Sequence, residues 1–193
     1  MNKIFYLMGK SASGKDTIYK KIKEAMPELK PLVIYTTRPI REKETEGVEY
    51  HFVDEARMGE LREQGKVIEL RQYHTVHGIW YYFTADDGQF DGDRHLLAIG
   101  TPESYCAMRN YFGADRLIPI YIEVDDGVRL ERALSRERKQ QEPKYKEMCR
   151  RFLADAADFS VDKLNEAGIT HKFVNTDVEK CVDEILLGIR EKI

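Results

Sequence analysis

The chain has 193 residues, 42% apolar and 34% charged, with 31 Lys+Arg against 34 Asp+Glu and a net charge of −3. That length suits one compact domain with a real core, and the charge excludes a general attraction to nucleic acid or an anionic membrane. No apolar run approaches the ~20 residues of a membrane span. The N-terminus lacks the features of a signal peptide, and the scattered Cys106, Cys149 and Cys181 point to reduced thiols in a cytoplasmic protein.

Lys3–Met8 is an apolar, β-prone run that leads directly into GKSASGKDT, Gly9 to Thr17. After it, Ile18, Ile22 and Met26 share one face of a predicted helix that Pro27 ends. Tyr35 to Arg94 is rich in aromatics, charges and turn residues and reads as an inserted subdomain. His95–Gly100 and Leu117–Val124 are continuous apolar runs, the pattern of parallel strands buried on both faces. Helices are predicted after them, over Pro102–Phe112 and Val128–Lys139. Arg129 to Phe159 is a charged helical stretch interrupted by QQEPKY. A short strand, His171–Asn175, precedes a helix from about Asp177, on which Val178, Cys181, Val182, Ile185, Leu186 and Ile189 recur at three- and four-residue steps. The alternation predicts an α/β fold with a parallel core sheet flanked by helices.

Gly9, Gly14 and Lys15 hold the spacing of a phosphate-binding loop set between strand and helix. Glycines let backbone N–H groups converge on phosphate oxygens, the lysine reaches the β/γ-phosphates, and the helix N-terminus adds donors and a favourable dipole. The phosphate-binding expectation therefore covers Gly9, Lys10, Ser11, Ala12, Ser13, Gly14, Lys15, Asp16 and Thr17. Asp16 stands where a hydroxyl that contacts Mg²⁺ is usual, and Thr17 supplies a hydroxyl one position later. A carboxylate beside phosphates is repelled unless a cation intervenes, so Asp16 either points away or meets Mg²⁺, with Thr17 the second candidate.

A second constellation lies in YTTRPIREKETEGVEYHF, Tyr35 to Phe52. Arg38 and Arg41 carry planar forks suited to phosphate and Tyr50 adds a phenolic donor; a solvated basic loop is the alternative reading. His74 and His77 lack further ligands and read as ordinary polar positions. Asp86 to Asp93 reads as a hairpin or flexible loop rather than a calcium site, and Trp80 to Phe83 as core packing.

Thr36, Thr37, Arg38, Arg41, Glu44, Gly47, Tyr50 and Phe52 match the pattern T-T-R-x-x-R-x-x-E-x-x-G-x-x-Y-x-F, and the chain here resembles the guanylate kinase family of P-loop nucleoside monophosphate kinases. KVIEL (Lys66–Leu70), VHGIWYY and FVNTD (Phe173–Asp177) extend the likeness over nearly the whole length, more loosely after Tyr82. The resemblance implies a P-loop core of residues 1–34, 94–128 and 160–193, a GMP-binding subdomain of residues 35–93 and a helical lid of residues 129–159. It implies ATP, with Mg²⁺, as donor and GMP as acceptor, in a monomer or homodimer. Arg38, Arg41, Tyr50 and Tyr81 would clamp the acceptor phosphate, and Glu69 would accept from guanine N1 and its 2-amino group. Lys15 and Arg38, with the lid arginines Arg136 and Arg151, would be catalytic; Arg132, Arg138 and Arg150 compete for the lid roles.

The pattern breaks in three places. Ile34 replaces a serine that helps read the base, Tyr82 and Phe83 intervene before Thr84, and Ala98 and Gly100 stand where the family has D-x-D. Asp16 is expected to take over the missing metal-associated charge, with Glu123 or Asp125 as competing candidates. A kinase for another (deoxy)nucleoside monophosphate and a non-catalytic guanylate-kinase-like binding module are the alternative functions.

Overall fold

The computed structural model describes residues 2–75 and 78–193; Val76 and His77 of the VHG motif, and with His77 the His74–His77 pair, lie outside them. In chain order the elements are β1 (Ile4–Gly9), α1 (Lys15–Ala25), β2 (Lys30–Pro31), β3 (Tyr35–Thr36), β4 (His51–Phe52), α2 (Glu55–Glu63), β5 (Val67–Thr75) and β6 (Gly78–Ala85). They continue with β7 (Leu96–Gly100), α3 (Pro102–Phe112), β8 (Leu117–Glu123), α4 (Asp126–Arg138), α5 (Tyr145–Asp158), α6 (Val161–Glu166), β9 (Phe173–Val174) and α7 (Val178–Arg190).

The core sheet has the order β2-β7-β1-β8-β9, and every pairing in it is parallel. β1 lies at its centre and is buried along its whole length. Because side chains alternate across a strand, Ile4, Tyr6 and Met8 pack with Tyr105 and Met108 of α3 on one face. Phe5 and Leu7 pack on the other with Ile18 and Ile22 of α1 and Ile185 and Ile189 of α7. That two-sided burial explains why the core strands read as continuous apolar runs.

Local signals fix the helix ends. Thr101 and Ser104 form a reciprocal capping box at the start of α3, with Pro102 at its first turn and Gly113 closing it. Asp177 caps α7 by accepting from the Lys180 N–H. Among the described residues no helix is long and apolar enough to cross a membrane.

A second sheet, ordered β4-β3-β6-β5, is formed by the segment between β2 and β7. Its β5–β6 hairpin is antiparallel, with Glu69 opposite Thr84 and Arg71 opposite Tyr82. Leu61, Phe83 and Ala85 form a small core of its own. The charged stretch after β8 folds as α4 and α5; QQEPK falls in the break between them and Tyr145 opens α5.

Gly100, at the end of β7, has a packing role. A Cβ there would lie 2.2 Å from the Tyr6 hydroxyl and 2.9 Å from Ser104 Oγ. Tyr6 is buried and shares a 2.6 Å hydrogen bond with Ser104, and burial pushes its phenol up to about 12. Tyr6 therefore has little freedom to retreat. Gly100→Ala is expected to cost about 1–3 kcal/mol of stability, the range for overpacking a dense core, read as a lowered urea midpoint at unchanged m-value.

Candidate active site

The loop Gly9–Thr17 joins β1 to α1 at the carboxyl end of the core strands, where ligands of open α/β sheets bind. Its path requires small residues. Gly14 has φ 86° and Ala12 φ 62°. A Cβ on Gly9 would sit 2.6 Å from Ser13 Oγ, and one on Gly14 would sit 2.6 Å from the Asn175 amide nitrogen. That amide donates to the Ser13 carbonyl at 2.8 Å, so the residue after β9 braces the loop from behind.

Lys15 Nζ lies 3.3 Å from an Asp16 carboxylate oxygen, and the Asp16 side chain is 78% exposed. Thr17 is exposed beside it. One carboxylate and one hydroxyl at the loop's mouth match the sparse protein contribution that Mg²⁺ accepts when substrate phosphates and water complete its shell. Among the described residues no group of three or more His, Cys, Asp or Glu could hold a metal, so an all-protein cage is not on offer. The competing carboxylates are engaged elsewhere: Glu123 pairs with Lys172 at 2.7 Å, and Asp125 caps α4.

A cleft of about 460 Å³ runs from Lys15 and Asp16 toward the second sheet, where Arg41, Tyr50 and Tyr82 line it. Ile34 and Gly100, two of the departures noted above, face the same space. A larger cavity of about 720 Å³ lies between β8, α3 and α7, walled by Phe5, Ile118, Phe173 and Leu187. It opens near the amino ends of β1 and β8, the wrong end of the sheet for the loop's chemistry.

Three of the expected acceptor residues, Arg38, Glu69 and Tyr81, are absent from the cleft lining, Arg38 because it is buried against Glu44. Tyr81 does not line the cleft; Tyr82 does. Successive residues of β6 point to opposite faces, and it is the Tyr82 hydroxyl that receives the Arg38 Nε–H at 3.1 Å. Glu69 is also absent from the lining, whereas Arg71 is part of it.

Arg38 is 3% exposed and heavily committed. It forks onto the Glu44 carboxylate at 3.0 and 2.8 Å and donates to the Pro39 carbonyl at 2.7 Å. Burial alone would raise the Glu44 pKa, but the Arg38 hydrogen bonds, the Arg41 backbone N–H and both positive charges hold it below the usual carboxylate range. Arg41 itself is exposed on the cleft, and its backbone is tied to Glu44 at 2.9 Å. Arg38 thus braces the segment from which Arg41 projects.

From α5, Arg150 and Arg151 reach the cleft. Arg151 donates to Ser11 Oγ at 3.2 Å, while Arg150 forks onto Glu147 at 2.8 and 2.7 Å. Arg136 lines a small neighbouring crevice with Ser11 and Arg151; Arg132 and Arg138 are exposed on α4. Sequence reasoning passed over Arg129, which is 1% exposed. Its guanidinium donates to the Ser11 carbonyl at 3.0 Å and to Asp155 at 3.1 Å and pairs with Asp126. Asp155 also accepts the Ser11 backbone N–H at 2.8 Å. A lone arginine in a charged helix carries no signal for such a role. Arg71 did carry one, since positions two apart on a strand share a face.

The parallel sheet with this loop between its central strand and first helix is the P-loop NTPase fold. Within that class, residues 1–85 match the family model described as guanylate kinase. The guanylate kinase of Salinibacter ruber is 28% identical over 192 residues, covering 97% of this chain and 95% of that protein. That of Thermobifida fusca is 34% identical over 128 residues, 66% of this chain and 53% of its own. That of Mycobacterium bovis is 38% identical over 74 residues, so the matched part of this chain spans about a third (36%) of the mycobacterial protein and 38% of this one. Among solved structures, guanylate kinase from Anaplasma phagocytophilum shares the fold with a TM-score of 0.70 at 20% identity, over 99% of this chain and 86% of that one. The resemblance to the guanylate kinase family is therefore shown, in sequence most strongly over the first half and in fold throughout.

The Arg38–Glu44 pair generates a stability prediction. Glu44→Ala leaves a buried guanidinium with only neutral partners and is expected to cost about 3 kcal/mol, measured by urea unfolding. The wild-type contribution is complete above the ordinary carboxylate pKa and is lost as pH falls through the lowered folded value. Glu44→Gln should flatten that acid limb of the stability profile.

Proposed function

We propose that this chain is an ATP-dependent nucleoside monophosphate kinase that phosphorylates GMP to GDP. The single observation that carries the reading is the cleft that the phosphate-loop lysine, Lys15, lines together with Arg41 and Tyr50 of the acceptor constellation. The full-length likeness to the Salinibacter ruber guanylate kinase supports it.

Phosphoryl transfer needs little covalent chemistry from the protein; it needs in-line positioning and stabilisation of charge on the phosphoryl oxygens. In this reading the backbone of Gly9–Lys15 and the Lys15 ammonium hold the donor phosphates. Arg41 and Tyr50, joined by Tyr82 in place of Tyr81, hold the acceptor phosphate. Arg38 positions Arg41 through Glu44, and Arg151, aided by Arg150 and Arg136, offsets charge on the transferring group. Asp16 and Thr17 would hold Mg²⁺, which when bound neutralises charge on the donor phosphates.

The segment of residues 35–93 serves the acceptor, and residues 129–159 cover the loop and exclude water that would otherwise hydrolyse ATP. Three free cysteines suit a reducing compartment such as the cytoplasm.

The test is ADP formation from Mg·ATP with GMP, dGMP, AMP, dAMP, CMP and UMP in parallel. GMP should be the preferred acceptor. Preference for another monophosphate would keep the phosphate chemistry and discard the guanine assignment; no turnover by folded protein would turn the reading toward a phosphate-binding module. Lys15→Ala is expected to lower kcat by at least about a hundredfold, the scale of losing one key electrostatic stabiliser. Arg41→Ala should raise the GMP KM by more than about tenfold, the worth of one charge-assisted contact, and an unchanged KM would remove Arg41 from the clamp.

A further inference from the structure

The far wall of the acceptor cleft presents hydrogen-bond donors where a carboxylate was expected. Glu69 and Arg71 stand two apart on β5 and so share a face. The Glu69 carboxylate is saturated from its own neighbours. It accepts the Arg71 Nε–H at 2.9 Å, an Nη2–H at 3.3 Å and the Thr84 hydroxyl at 2.7 Å. Its side chain is 4% exposed, and the cleft surface over it belongs to Arg71.

A guanidinium has five N–H donors in a fixed plane. Two of those on Arg71 go to Glu69 and one, from Nη1, goes to Thr101 Oγ1 at 3.4 Å. One N–H on each Nη is left for the cleft. Gly100, with no side chain, and Ile34, with no polar atom, add no polar group there, and the neighbouring Thr101 hydroxyl already accepts from Arg71. The open N–H groups of Arg71 therefore favour a ligand end that offers acceptors.

The rest of the wall says what kind. Tyr50, Tyr73 and Tyr82 line the cleft, and the Tyr82 ring makes edge contacts with Tyr50 and Tyr73 at 5.5 and 5.4 Å between centroids. With the Tyr50 and Tyr82 hydroxyls assigned to the phosphate, the Tyr73 ring is the flat, half-apolar surface beside Arg71 that suits a planar heterocycle. The Arg71–Glu69 unit carries no net charge, so it matches a neutral acceptor pair better than a second phosphate.

The fork of an arginine fits the O6/N7 edge of a 6-oxopurine bidentately. We propose that Arg71 is the specificity-determining residue of the acceptor site, reading the O6/N7 edge of a 6-oxopurine monophosphate, and that Glu69 is a positioning residue that acts through Arg71 without touching the base. The inference rests on the acceptor reading above and deepens it. It inverts the polarity of recognition, because the N1–H and 2-amino donors of guanine are left unread.

Substrate analogues test this on the unmodified protein. GMP, IMP and 7-deaza-GMP are compared as acceptors with Mg·ATP, with AMP as the rejected edge. IMP keeps O6 and N7 and lacks the 2-amino group, so its kcat/KM should stay within about threefold of that of GMP. The analogue 7-deaza-GMP loses one acceptor of the pair and should fall by about tenfold or more. Arg71→Ala should bring the GMP to 7-deaza-GMP ratio close to one. Glu69→Gln, which keeps an acceptor oxygen for Arg71, should lower that ratio without abolishing it, a change that loss of stability alone would not produce.

Efficient use of GMP and 7-deaza-GMP alike, with IMP strongly disfavoured, would overturn the Arg71 assignment and return recognition to Glu69 while leaving the kinase reading intact. An unaltered ratio in Arg71→Ala would overturn the assignment as well. ADP formation with a base-free sugar phosphate and with none of the nucleotides would overturn both. If no acceptor is turned over, equilibrium titration of the same nucleotides supplies the same ratios, and equal binding of GMP and 7-deaza-GMP, or no binding of either, overturns the proposal.

Discussion

A phosphate can be approached by several backbone N–H groups at once only where no side chain intrudes, and the whole molecule is arranged around that constraint. Gly14 holds a left-handed turn against the Asn175 amide, and Gly9 lies under Ser13. Asn175 is placed by its own N–H bond to the Glu123 carbonyl at 2.9 Å, which ties the loop to the edge of the parallel sheet. β1 ends where the loop begins because its last residue is the glycine the loop needs. The apolar faces of α1, α3 and α7 then hold β1 in place.

The second sheet is organised by different physics. Its apolar core is small, and its polar interior is built on two arginine–carboxylate pairs, Arg38–Glu44 and Arg71–Glu69. Such pairs contribute little net stability against an apolar replacement, because desolvation consumes the Coulombic gain. What they do contribute is direction. Each guanidinium is a rigid plane, and a carboxylate that takes part of its donor set determines where the remaining donors point. The same device thus recurs along one cleft, tying the Arg41 backbone through Glu44 and fixing the plane of Arg71 through Glu69.

Much of this was legible before any coordinates. The phosphate loop, the core strands and α3 all follow from local rules of glycine spacing, apolar runs and capping, and the structure places them within a residue or two of the expected bounds. The break between α4 and α5 holds Pro143, which cannot continue a helix and disfavours helical backbone in the residue before it. What stayed hidden depended on contacts between segments distant in sequence. Tyr81 against Tyr82 is a question of strand phase, which a motif match does not settle when the motif is followed by extra aromatics. The commitment of Glu69 to Arg71 needed the face alternation of β5 to be weighed against the resemblance. Arg129 and Asp155 meet across 26 residues, and no spacing rule connects them.

The contact between Asp155 and the Ser11 N–H has a thermodynamic consequence. A loop built to receive anions has one of its donors already satisfied by an anion of the same chain, delivered on α5 and held by the buried Arg129. Any incoming phosphate that seeks that N–H exchanges one negative partner for another, so the free energy of anion binding at the loop and that of α5 attachment are two sides of a single competition. Reciprocity then requires that whatever strengthens the docking of α5 weakens occupancy of that donor, and the reverse. The protein carries its own competing ligand for the loop.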